Sequence, residues 1–332
     1  MQIEKIKKLP RTFFKDALKS FFKLEKIKKM SKVSGASFND AEKKLSQEIE
    51  SYRKVEKEAI RTWKIVELSR HENRPQTKDY IDGILEDFVE LSGDRLSLDD
   101  KSIITGIGRI DDHTVAVIGH NKGKNIKERI LYNFGSSMPQ GYRKANRIME
   151  IADRFNFPVI TFIDTPGAYP ALEAEDSGQA GAIAKSIFKM FELKVPVIVV
   201  LIGEGGSGGA LALAIGNYVM MLENSTYSVI SPEGCASILW RDADVAKLAA
   251  RALKLTSKDL LKMGVIDRII YEPIGGAQHN PDRMVRIVRS YILNALRKYV
   301  RDSEIDLKKE RAKKYESMGI FLHQSATVQQ KE

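Results

Sequence analysis

Eight residues, Gly203-Glu204-Gly205-Gly206-Ser207-Gly208-Gly209-Ala210, follow directly on the apolar run Val195 to Ile202. An aliphatic run of that length, rich in β-branched residues, reads as a strand buried on both faces. It opens into a loop in which five of seven residues lack a side chain. Such a loop serves a ligand that needs bare backbone amides, or another backbone that packs closely.

Two known spacings overlap on this loop. Gly203-x-Gly205-x-x-Gly208 has the dinucleotide-binding spacing, with Glu223 downstream, but that motif belongs near the start of its own βαβ unit. Gly205-x-Ser207-x-Gly209 has the spacing of a serine-hydrolase nucleophile elbow, which needs an acid and then a histidine downstream. The only later histidines are His279 and His323, and neither sits in a catalytic context. A third use is an amide-lined pocket at a helix N-terminus, where preformed N–H donors stabilise an enolate or a tetrahedral anion.

The rest of the chain narrows the choice. Short β-rich runs alternate with helical stretches from about 75 to 280, an α/β pattern. Ile103 to Ile110 and Thr114 to Gly119 read as adjacent strands. Gly141 to Phe155 reads as a helix with Ala145, Ile148, Met149 and Ala152 on one face. Val159 to Ile163 is a buried strand ending at Asp164-Thr165-Pro166-Gly167. Gly178 to Leu193 is the next helix, and a helix Ala210 to Ile215 follows the glycine loop. Tyr218 to Leu222 and Tyr227 to Ile230 are strand-like. Ligands of α/β sheets bind at the carboxyl ends of strands. If the strands ending at Ile163 and Ile202 are neighbours, Gly167-Ala168 and Gly205 to Gly209 share one rim.

The ends differ in composition. Residues 1–35 are dense in lysine and phenylalanine, and Phe14, Leu18, Phe21 and Phe22 fall at helical spacing, so an amphipathic helix bound to another surface is expected. Residues 31–40 read as a linker and 40–72 as a second charged helix. The tail reads as helical, then charged and frayed. The expected division is a basic helical extension at 1–72, a catalytic domain at 73–282 and a charged tail at 283–332. No apolar run approaches the roughly 20 residues of a membrane helix. The single cysteine, Cys235, excludes a disulfide framework and a cysteine zinc site, and suits a reducing, cytoplasm-like compartment. The net charge of +10 suits phosphate-bearing ligands or acidic partners. Nucleic-acid binding is expected only as a secondary property, since the lysines lie at the two ends and no known module is present.

Taken together, several segments resemble one family. They are Leu91 to Arg95, Ile118 to Gly123, Asn133 to Gly135, Gly141 to Ala145, Phe162 to Pro170, Gly203 to Ala210, Tyr227 to Trp240 and Glu272 to Ala277, in order over roughly 65 to 280. The chain resembles the carboxyltransferase α subunit of bacterial and plastid acetyl-CoA carboxylase. It departs at Ser136-Ser137-Met138, at Ala171 and at Asp176-Ser177. The resemblance implies a crotonase-like α/β superhelix of ββα units. It implies transfer of a carboxyl group from carboxybiotin, borne on a biotin carboxyl carrier protein, to acetyl-CoA, giving malonyl-CoA. No cofactor would be bound covalently, and biotin itself would take the methyl proton. Gly208 and Gly209 would donate their amides to the biotin ureido oxygen, with Gly205 and Gly206 shaping the turn. Gly167-Ala168 would form a second wall. Lys122, Arg143 and Lys144 are candidates for CoA contacts, and equally for structural charges. Glu204, Glu233, Asp164 and His120 are expected to hold the loops. Implied partners are a zinc-ribbon β subunit in an α2β2 assembly, the carrier protein and a biotin carboxylase. Two other classes compete: a self-sufficient crotonase-type hydratase or acyl-CoA decarboxylase, and a lysine-rich regulatory or nucleic-acid-binding module.

Overall fold

The computed structural model describes residues 2–34, 39–301 and 305–319. In chain order the first elements are helices α1 (Gln2–Ser34), α2 (Asn39–Ser69) and α3 (Thr77–Ile84). Strands β1 (Glu86–Glu90), β2 (Ile103–Ile110) and β3 (His113–His120) follow, then α4 (Ile126–Leu131) and α5 (Pro139–Phe155). The centre holds β4 (Val159–Thr165), α6 (Leu172–Asp176), α7 (Gln179–Glu192), β5 (Val197–Gly206) and α8 (Ser207–Leu211). The remainder is β6 (Tyr218–Leu222), β7 (Thr226–Ser228), α9 (Pro232–Trp240), α10 (Ala246–Leu253), α11 (Ser257–Lys262), β8 (Arg268–Ile270), α12 (Pro281–Arg301) and α13 (Leu307–Glu316).

One sheet organises the chain, in the order β1-β2-β3-β4-β5-β6-β8, with β7 paired off the end of β5. β1, β2 and β3 are antiparallel, and β3 through β8 run parallel. Every residue of β4 is buried, as are the first seven of β5. That is why both segments are continuous apolar runs and not alternating ones. Helices cover both faces. On one side Tyr142, Ala145, Ile148, Met149 and Ala152 of α5 pack with α7 against Val159, Val197, Val199 and Leu201. On the other, α3 and α12 close over Ile160, Ile198, Val200 and Met220. The apolar face expected on α5 is the face that is buried.

Several expectations are corrected. The stretch 31–40 is not a linker throughout, because α1 continues to Ser34 and α2 begins at Asn39. α1 packs through Phe13, Ser20 and Leu24. Leu18, Phe21 and Phe22 face away, 55%, 44% and 66% exposed. The side chain of Phe14 lies outside the described residues. The helix expected at Ala210 to Ile215 begins at Ser207 and ends at Leu211, because β5 runs on through the first glycines before the chain turns. The strand expected at Tyr227 to Ile230 is the short β7. The described part of the tail holds two helices, α12 and α13. There Arg311 is fully buried and donates to the carbonyls of Met190, Leu193 and Val195 and to Asn217 Oδ1. A charged sequence thus ends as an interior clamp, at the C-terminus of α7 where carbonyls lack helical partners.

Candidate active site

The rim forms where β4 and β5 end side by side. Their register runs Val159↔Val197 to Ile163↔Leu201 and resumes at Thr165↔Gly205. Between those pairs β4 has only Asp164 while β5 has Ile202, Gly203 and Glu204, a bulge on β5. Asp164 fills it: its Oδ1 accepts the Glu204 amide at 2.9 Å, and a Cβ built on Gly203 would lie 2.3 Å from that same oxygen. β7 then pairs alongside, Glu204↔Thr226 to Gly206↔Ser228, and fixes the last residues of β5.

The two strand-end loops touch backbone to backbone. A Cβ on Gly206 would meet the Pro166 carbonyl at 2.0 Å, and one on Gly209 would meet the Ala168 amide nitrogen at 2.4 Å. Gly167 sits at φ 149°, with its amide donating to Thr165 Oγ1. Gly167-Ala168 and Gly205 to Gly209 thus do share one rim. Gly208 differs from its neighbours. A Cβ there would find only the Ile183 side chain, at 3.7 Å, an ordinary contact. Packing requires glycine at 206 and 209 but not at 208. α8 is a single five-residue turn, so what it offers an anion is local N–H groups of a first helical turn rather than a helix macrodipole.

Two cavities flank this loop. One, of ≈ 280 Å³, is mainly apolar and lined by Ser207, Gly208, Leu211, Tyr227, Val229 and Val265. The other, of ≈ 210 Å³, is lined by the charged residues Arg70, Lys122, Arg129, Asp164 and Glu204 together with Phe134 and Pro166.

Behind the rim runs a ladder of charges. Lys122 Nζ lies 2.8 Å from Asp164 Oδ1 and 2.7 Å from Glu204 Oε2. Arg70, just past the end of α2, donates Nε to Glu204 Oε1 at 2.7 Å and Nη1 to Glu233 Oε1 at 2.6 Å. Burial pushes the Glu204 carboxyl up, but Lys122 and then Arg70 outweigh it and hold it down to about 2. Burial likewise opposes the Lys122 ammonium, and Asp164 and Glu204 more than offset it, so its pKa is raised. Glu204 and Lys122 are therefore both charged at neutral pH, and these contacts brace the bulge between the end of α2, β4 and α9. One turn further on, the almost fully buried Arg74 donates to the carbonyl of Ile202 and pairs with the equally buried Glu272. Arg70 and Arg74 escaped the sequence reasoning. Their available signal was two arginines four apart just beyond α2, since arginine is the residue suited to buried multidentate pairing.

The other candidates have defined places. Arg143 pairs with Asp94 at 2.9 Å and donates to the Ser177 carbonyl. Lys144 is 1% exposed and bonds Asp99 and the carbonyl of Asp100. Together with Arg147, which donates to the carbonyls of Leu91, Ser92 and Gly93, they clamp the 91–100 loop onto α5. His120 is fully buried beneath the rim. Its ring faces the backbone of Phe162 and Gly209 without a well-aligned hydrogen bond, and burial lowers its pKa to about 3. The imidazole is therefore neutral at pH 7. Ser207 has φ 49° at a strand-to-helix junction, as a nucleophile would. Yet among the described residues no histidine bonds it, and His279 packs at Gly275 instead. His323 lies outside the described residues. Among those residues no group of three His, Cys, Asp or Glu side chains is placed to hold a metal ion, and no helix is long and apolar enough to cross a membrane.

A mostly parallel sheet whose glycine-containing strand-end loops meet on one rim is the architecture of the crotonase-like carboxyltransferase fold. Solved structures share it. The transcarboxylase 12S chain, solved with methylmalonyl-coenzyme A and methylmalonic acid bound, matches with TM-score 0.57 at 19% identity. That match covers 70% of this chain and 43% of the other. The β subunit of Pseudomonas aeruginosa geranyl-CoA carboxylase matches with TM-score 0.52 at 17% identity, over 67% and 41%. This chain thus spans less than half of either. The family model described as acetyl co-enzyme A carboxylase carboxyltransferase-like matches residues 13–319, well beyond the 65–280 over which the motifs align. The acetyl-coenzyme A carboxylase carboxyl transferase subunit alpha of Chlorobium phaeobacteroides is 48% identical, over 90% of this chain and 93% of that one. A counterpart in Thermus thermophilus is 45% identical, over 94% and 99%. The chain belongs to the family of acetyl-CoA carboxylase carboxyltransferase α subunits.

Proposed function

We propose that the chain is the α half of a two-subunit carboxyltransferase that moves a carboxyl group from carboxybiotin on a carrier protein to acetyl-CoA, forming malonyl-CoA. The observation that carries this reading is the contact between the β4 and β5 loops. It leaves the Gly208 amide beside an apolar cleft, in a chain whose relatives bear that name. In the reaction the N–C bond of carboxybiotin breaks, releasing CO2 and leaving negative charge on the ureido group. That group takes a proton from the acetyl methyl, and the resulting enolate carbon attacks CO2. No side-chain base is needed.

Gly208 and Gly209 are the proposed donors to the ureido oxygen. Gly205 and Gly206 shape the turn, and Gly167-Ala168 form the opposite wall. One such donor is worth about 2.7–4 kcal/mol of barrier. Lys122 acts through Asp164 and Glu204, holding the bulge. Arg143 and Lys144 act on the substrates only through the loop they clamp. The second anion site, for the enolate of the thioester, belongs to a zinc-ribbon β subunit in an α2β2 assembly. ATP is used by a separate biotin carboxylase. Residues 73–282 form the proposed catalytic unit, with 1–72 and 283–332 as extensions.

The test is the reverse reaction, malonyl-CoA-dependent carboxylation of free biotin, with the chain alone and mixed with a β subunit. Activity only in the mixture is expected. Activity from the chain alone would instead favour a self-sufficient enzyme of CoA esters.

A further inference from the structure

α1 contains ten lysines and one arginine against three carboxylates, and so holds eight of the chain's ten net positive charges. Its packed face is Phe13, Ser20 and Leu24, at the i, i+7, i+11 spacing of one helical stripe. Phe13 meets Tyr52 of α2 edge-on at 5.1 Å and joins a small cluster with Ala59 and Leu248. On the opposite side Leu18, Phe21 and Phe22 form a second stripe, at i, i+3 and i+4. They are exposed, and the two phenyl rings stand edge to face at 6.2 Å. Lys15, Lys19, Lys23, Lys26 and Lys29 run along one side of this stripe, all exposed, and a single carboxylate, the exposed Glu25, falls within it at i+4 from Phe21. Among the described residues, Lys19 has an acidic neighbour, Asp16 at 3.9 Å, and the other four form no ion pair.

We propose that this outer face of α1 binds an anionic lipid surface, lying in the plane of the headgroups with Leu18, Phe21 and Phe22 inserted. The charge pattern selects the occupant. Protein interfaces are enriched in arginine and depleted of lysine, because the guanidinium fork pairs carboxylates bidentately while an ammonium is a point charge. A helix with ten lysines and one arginine suits a diffuse negative field instead. Lysine stems also reach upward past an inserted apolar stripe and keep their charge in water. A nucleic acid offers the field but gives Leu18 nothing apolar to enter. A basic helix with bulky apolar residues on the same face is the form that interfacial helices take.

The test is sedimentation of the full chain, and of its complex with a β subunit, with vesicles of phosphatidylcholine alone or with one-third phosphatidylglycerol. Binding at least tenfold tighter to the anionic vesicles is expected, weakening as salt rises. The variant L18S/F21S/F22S should lose at least tenfold in vesicle binding, with Tm and biotin carboxylation in solution unchanged, since these side chains touch neither core nor rim. Equal binding of the variant and the parent would overturn the proposal. So would vesicle binding by the free chain that vanishes in the complex, because the face would then belong to a protein partner. Duplex DNA binding that outcompetes the vesicles would overturn it as well.

Discussion

Gly208 and Gly209 are adjacent, both glycine, and physically unlike, so an alanine at each separates packing from chemistry. At 209 the new methyl would sit 2.4 Å from the backbone nitrogen of Ala168, where 3.4–4 Å is ordinary contact. The two loops must part by about 1 Å. Overpacking of this kind costs roughly 1–3 kcal/mol, and a displacement of about 1 Å at a reacting centre can cost about a hundredfold in rate. At 208 the methyl meets Ile183 at 3.7 Å and the N–H is retained. There the change even trims the entropy of the unfolded chain, worth about 0.4–1 kcal/mol. The assay is malonyl-CoA-dependent biotin carboxylation with a saturating β subunit, alongside the thermal midpoint of each α variant. Gly209→Ala should lose about a hundredfold in kcat with a lowered Tm. Gly208→Ala should keep its Tm and stay within about tenfold in kcat, well short of the loss of one donor. Equal losses in the two variants, or a fully active Gly209→Ala, would refute the loop contact as the feature that sets the amides.

Four further outcomes follow from named contacts. Arg70→Met strips one of two cations from Glu204, which keeps Lys122, and should destabilise by about 1–2 kcal/mol, read as a lower urea midpoint, while Arg70→Lys restores only part. The His120 pKa is lowered by burial to about 3 from an ordinary 6.5. The unfolded chain therefore binds the extra proton between those values, and stability should fall as pH drops from about 6.5 toward 3. The slope is at most about 1.4 kcal/mol per pH unit. Glu204, held at about 2, adds stability that is present above its ordinary 4.5 and is lost as pH falls toward 2. Denaturation of His120→Gln at pH 7 and pH 5 should show a flatter acid limb than the parent. Arg311→Met leaves several buried carbonyls without their donor and should lower Tm clearly, at about 1–3 kcal/mol per orphaned group, without changing KM. Ser207→Gly, which also suits φ 49°, should retain carboxylation in the mixture; complete loss would revive a serine nucleophile.

The local order of the chain is legible in its residues alone. Val159 to Ile163 and Val195 to Ile202 read as strands because unbroken aliphatic runs fit a sheet covered on both faces. α5 is a helix because Ala145, Ile148, Met149 and Ala152 repeat at its period. The glycine loop announced a rim, and the spaced motifs announced the family. These features are local, so sequence alone carries them. Only the tertiary structure decided which glycines are there for packing and which is not, because that depends on Pro166 and Ala168 arriving from another strand. It put Lys144 inside on Asp99 rather than on the surface, and set Arg70, 134 residues before Glu204, onto that carboxylate. It also chose which of two apolar stripes α1 would bury, a choice made by the shape of α2 and α10. Periodicity can show that a face is apolar; only the partner that arrives determines whether it is covered.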